Sequence, residues 1–157
     1  MYISQNGIYN RREVKRMKKM YIVCESTSAD EIIAIAKRYL IADDFEVQEA
    51  LDDAGNLCLQ GRKTSLLRNV SGTSYAIQLQ VHQRNDGSYV LSAGWGKWMD
   101  KVLVGGIATF VAFGFMLIPV IIGGVIQKKL PQKLLSEIYD KIQLKYPDSR
   151  VFMEAKS

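Results

Sequence analysis

Residues Val102 to Gln127 carry no charge. The run VLVGGIATFVAFGFMLIPVIIGGVIQ is 26 residues long and lies between Lys101 and Lys128. It constrains the fold more than any other part of the chain. About 20 consecutive apolar residues are enough for a helix to cross a hydrocarbon core of roughly 30 Å. Trp95 and Trp98 precede the run, where amphipathic rings prefer the headgroup level. Lys97, Lys101, Lys128 and Lys129 flank it, with stems long enough to snorkel. These six residues form the expected membrane interface, around a membrane segment over 101–128. The competing reading is a helical hairpin buried in a soluble core. It must bury more consecutive apolar residues than core helices use.

Two forms of the segment stay open. One straight helix of this length would reach about 39 Å, enough to span with tilt. A break at Gly114 and Pro119 would instead leave two arms of about 18 Å, each too short to cross alone. That hairpin would be re-entrant, and its irregular backbone would need shielding by neighbouring copies. Gly105, Ala108 and Ala112 would share one helical face, and small residues let helices approach closely in lipid. A homo-oligomer is therefore expected. Lysines at both ends favour both flanks on the cytoplasmic side, with the soluble domain there.

The net charge of +5 is localised. Residues 1–20 hold Arg11, Arg12, Lys15, Arg16, Lys18 and Lys19 against Glu13 alone, which accounts for all of it. The remainder is neutral, which argues against a nucleic-acid-binding domain. The basic arm, 1–19, suits anionic lipid or is an extension without a role. No apolar stretch follows its basic cluster, so it does not read as a signal peptide. Cys24 and Cys58 have no metal-binding or disulfide spacing and read as small buried residues of a reducing compartment.

The segment 20–100 reads as a small α+β domain. Tyr21–Glu25 is strand-forming. Ser28 and Glu31 match a capping box ahead of a helix over Ala29–Ile41, with Ile32, Ile33, Ala36, Tyr39 and Leu40 on one stripe. Phe45, Val47 and Leu51 suit a half-buried strand, and Asp52–Asn56 is a turn before Leu57–Gly61. Leu66 and Leu67 between Arg62, Lys63 and Arg68 fit either a loop or a membrane surface. Tyr75, Ile77, Leu79 and Val81 alternate with polar residues in the clearest strand. Asn85–Ser88 supplies hairpin chemistry, and Tyr89, Leu91 and Ala93 return. The order is β-α-β-β-β-β, an antiparallel sheet with a helix on one face. In the last region, 129–157, Pro131 opens an amphipathic helix through Leu134, Leu135, Ile138 and Ile142. It can lie on a membrane, pack on the sheet, or pair with its own copy.

The stretches GWGKWMDKVLVGG, KKLPQKLLSEIYDKI and RNVSGTSYAIQLQV carry a resemblance. Together they resemble a group of bacterial membrane-anchored proteins of uncharacterised activity. The group has a small α+β domain, a G-x-G-K-W-x-D-K junction and a short apolar hairpin. Here the junction would be Gly94, Gly96, Lys97, Trp98, Asp100 and Lys101. The resemblance spans Tyr21 to Tyr146 and implies an architecture, not a reaction.

No catalytic, cofactor or metal site is expected. His82 is the sole histidine, and Gly94-Trp-Gly-Lys lacks phosphate-loop spacing. The leading expectation is a non-enzymatic membrane-anchored binding or scaffold protein. It would self-associate and contact the bilayer and a further protein partner. The alternative is a membrane-active pore-forming or phage-related effector. A soluble enzyme with a buried apolar hairpin ranks last.

Overall fold

The structure is a computed structural model that describes residues 18–63, 75–110 and 129–154. Its elements are β1 (Lys18–Val23), α1 (Ala29–Ala42), β2 (Glu46–Leu51), β3 (Leu57–Arg62), β4 (Tyr75–Gln83) and β5 (Tyr89–Lys97). They continue with β6 (Val102–Val104), β7 (Ile107–Thr109), α2 (Leu130–Lys145) and β8 (Arg150–Met153). The described strands form one sheet in the order β6-β7-β2-β3-β4-β5-β1-β8. Every neighbouring pair is antiparallel except β2 and β7. The α+β class and the β-α-β-β-β-β order of the first part stand.

Both helices pack on one face of the sheet. Ser28 accepts a hydrogen bond from the Glu31 amide at 3.2 Å and starts α1. Half of the capping box is absent, because the Glu31 carboxylate turns towards Thr27, Lys145 and Tyr146 instead. Ile32, Ile33, Ala36 and Leu40 of α1 are buried against Leu59, Ile77, Leu79 and Leu91 of the sheet. Leu134, Leu135, Ile138 and Ile142 of α2 belong to the same core. The two helices run antiparallel, since the end of α2 meets the start of α1 through Lys145, Tyr146 and Glu31.

Of the three placements open to the C-terminal helix, packing on the sheet is the one observed, because its apolar stripe completes the core over β1, β4 and β5. Two expectations need correction. Strand β1 begins at Lys18, so the basic arm stops short of residue 19. The backbone of Val102–Thr109 is a β-hairpin, not a helix. Gly105 and Gly106 carry φ of +60° and +83°, the signature of a two-residue turn between strands. Gly105 and Ala108 therefore share no helical face. Their proposed partner Ala112, the hinge residues Gly114 and Pro119, and Lys128 lie outside the described residues, as do Leu66, Leu67 and Arg68. Among the described residues no helix is long and apolar enough to cross a membrane. Strand β8 was not foreseen and adds to the edge of β1.

If α2 is part of the core, truncating it must unfold the domain. Ile138 is fully buried. Ile138→Ala should cost about 2–5 kcal/mol in urea unfolding, through lost burial and an unfilled cavity. An unchanged midpoint would mean that α2 is not docked.

Candidate functional site

The second face of the sheet is lined with amides. Gln48, Gln60 and Gln78 stand side by side across β2, β3 and β4. Gln80 and Ser92 form the next row on β4 and β5. Alternation assigns these positions to the side away from the helices, where polar residues normally meet water. Yet Gln60 and Gln78 are fully buried. What covers this face includes the chain that follows β5. The Met99 amide donates to Gln60 Oε1 at 3.1 Å, and Gln60 Nε2 donates to the Met99 carbonyl. Gln78 Nε2 donates to the Lys97 carbonyl at 3.1 Å. The segment from Trp98 to Lys101 thus crosses from β5 over the amide row to the far edge of the sheet. Phe110 closes the crossing by packing on Ala50 and Cys58, with Met99 and Ala108 beside it.

The crossing delivers the apolar run to the sheet edge as the β6–β7 hairpin. The Phe110 amide donates to the Leu51 carbonyl at 2.8 Å, fixing the hairpin against β2. Its outer side chains face solvent. Leu103 is 76% exposed, Val104 59% and Ile107 55%. These three were not singled out from the sequence, yet the signal was present. Two short runs of strand formers flank a Gly-Gly pair, which is hairpin chemistry.

The expected interface residues divide. Lys97, Lys101 and Lys129 are exposed. Trp98 is only 8% exposed, and the Arg62 guanidinium lies 4.1 Å from its ring centroid. Arg62 also contacts Glu46 at 3.0 Å. The Trp98 ring is therefore covered by protein and by a cation, a favourable stack. Trp95 is half-buried on the main core beside the helices. The two tryptophans project from a strand and from its crossing, so they do not form an exposed aromatic belt.

Polar side chains elsewhere are committed to structure. Asp52 receives the amides of Ala54 at 2.9 Å and Asn56 at 2.8 Å, with the Asn56 and Gln80 side-chain amides on its second oxygen. Burial raises its carboxyl pKa, but these hydrogen bonds outweigh burial and hold it below the usual carboxylate range. Asn56 Oδ1 lies 2.7 Å from His82 Nδ1. Burial, helped by the Asp52 charge, pushes the Cys58 thiol well above the range of a nucleophile. Glu31 behaves like Asp52. Its burial raises the pKa, while the Lys145, Tyr146 and Thr27 hydrogen bonds lower it further than burial lifts it. Beside this cluster a groove of about 710 Å³ runs between the helices, along Ile35, Arg38, Tyr39, Glu137, Lys141 and Leu144. Among the described residues no group of three or more His, Cys, Asp or Glu could hold a metal ion. Comparison of the chain with known protein families, with curated proteins and with solved structures finds no match.

The Asp52 cluster has a pH signature. A carboxyl with a depressed folded pKa stabilises the fold above its unfolded value, near 4, and loses that contribution as pH falls through the folded value. Stability should therefore drop below about pH 4. Asp52→Asn should remove about 1–3 kcal/mol at neutral pH and flatten the acid limb. Urea unfolding across that range is the measurement. An acid limb as steep as that of the unmodified chain would show that Asp52 is not its source.

Proposed function

We propose that this chain is a non-enzymatic, membrane-anchored binding or scaffold protein that self-associates. Its α+β domain lies on the cytoplasmic side of a bacterial membrane. The observation that carries the reading is the charge-free run 102–127, whose described head leaves Leu103, Val104 and Ile107 in solvent. Isolated exposed apolar residues are ordinary on a protein surface. A contiguous, uncharged cluster that leads into further apolar chain is the mark of a lipid or protein contact.

The non-enzymatic part rests on how the reactive groups are spent. The Cys58 thiol is shut in under Phe110, and Asp52 is saturated with donors. Glu31 joins the two helices. These are the uses of a scaffold. The cytoplasmic orientation rests on Lys97, Lys101 and Lys129 around the run, since positive charge is retained on that side. Self-association rests on the same run, because unshielded backbone in lipid is costly.

Carbonate extraction of membranes that carry the full-length chain should leave it in the pellet. Light scattering in mild detergent, corrected for the micelle, should return a mass above one chain. Release into the soluble fraction would overturn the anchoring, and a strict monomer would overturn the self-association.

A further inference from the structure

We propose that the β6–β7 hairpin is a shallow wedge that enters the headgroup region of an anionic bilayer. The inference rests on the membrane-anchored reading above and names the residues that make the contact. It replaces the tryptophan interface with Leu103, Val104 and Ile107.

The Gly105–Gly106 turn stands clear of the other described residues. Side chains built at Gly105 or Gly106 would meet nothing within 4 Å. The turn can therefore approach a surface without the domain intervening. From Val102 to Phe110 the chain has no charge, so no side chain of the hairpin adds the cost of desolvating an ion. The carboxylates on the neighbouring strand are paired, Glu49 with Lys37 at 3.5 Å and Glu46 with Arg62 at 3.0 Å. Asp100, at the hairpin base, is exposed beside Lys101.

The surroundings favour an anionic surface. Strand β7 runs parallel to β2 with Thr109 opposite Leu51, so the Gly105–Gly106 turn points towards the end where β2 begins. Strand β5 finishes at that end with exposed Lys97. Helix α2 begins there with exposed Lys129, because it runs antiparallel to α1. That end thus presents an apolar turn with Lys97 and Lys129, beside exposed Asp44 and an Asp43 that pairs with Lys63 at 3.2 Å. Basic side chains near a surface gain from anionic headgroups.

Two constraints keep the wedge shallow and argue for lipid over a second copy. Strand β6 is the outermost described strand, and its free backbone groups need water or headgroups. Insertion to the headgroup boundary, about 5–10 Å deep, leaves them hydrated. Pairing with a second β6 would satisfy them too. That strand has only three residues, far short of the roughly 1,200 Å² that stable interfaces bury.

The test places an environment-sensitive fluorophore on the full-length chain. Val104→Cys and, separately, Ile107→Cys are labelled in a Cys24→Ser background, with Leu144→Cys as control. Leu144 is exposed near the end of α2, away from the proposed contact. The chains are reconstituted from detergent into phosphatidylglycerol or phosphatidylcholine vesicles. Emission at 104 and 107 should shift to the blue, more in phosphatidylglycerol, and a lipid-borne quencher should reduce it. Position 144 should remain aqueous. Vesicle-bound protein with aqueous probes at 104 and 107 overturns the wedge and leaves the anchoring intact. Protein that fails to join vesicles overturns both. A blue shift without vesicles, together with disulfide cross-linking between unlabelled Val104→Cys chains, assigns the hairpin to a second copy and overturns the lipid contact.

Discussion

A single buried amide directs the path of the chain after its central sheet. Gln60 offers both halves of its side chain to the backbone of Met99. A buried glutamine without partners would be costly, so the chain leaving β5 must pass over it. That passage brings Trp98 under Arg62 and covers the amide row on the second face of the sheet. It also sets the apolar run down at the β2 edge. Without Gln60 the crossing would keep only Gln78 on the Lys97 carbonyl and Phe110 packed on Ala50 and Cys58. The described structure differs from a plain helix-on-sheet domain mainly through this contact.

The helix face is held differently. Its core is ordinary apolar packing, with one polar tie between the helices. Glu31 receives Thr27, Lys145 and Tyr146, joining residues more than a hundred positions apart. The tie explains why a capping-box glutamate abandons its cap. An N-cap bond is worth about 1 kcal/mol, while a charge-assisted pair on a part-buried carboxylate can match that and also orient α2. Lys145 is well exposed, so its charge adds little by itself. The geometric role outweighs the electrostatic one.

Much of the fold was legible from local pattern. Alternation in Tyr75–Val81, the Asn85–Ser88 turn and the Leu134–Ile142 stripe each named the right element. What escaped had long-range causes. The alternation Leu57, Cys58, Leu59, Gln60 cannot say that Gln60 is covered, since its cover lies 39 residues away. Strand β8 is four residues, three of them exposed, too short for a pattern. The hairpin was a different failure. Its Gly-Gly turn between Val102–Val104 and Ile107–Thr109 was a local signal, overridden by the length of the apolar run around it.

That hairpin changes the arithmetic of the membrane argument. With 102–109 spent on strands and Phe110 buried against Ala50 and Cys58, the uncharged chain still to be accounted for is 111–127, 17 residues. A straight helix of that length would reach about 26 Å, less than a hydrocarbon core of roughly 30 Å and with no margin for tilt. Gly114 and Pro119 fall inside it. A single tilted span was the simplest use of 26 uncharged residues, and it is the use that the hairpin weakens most. The re-entrant form loses its first arm as well, since 102–110 belong to the sheet, and only a shallow contact keeps every residue it uses. Within the anchoring proposed above, the same eight residues therefore favour a shallow contact with one leaflet over a span.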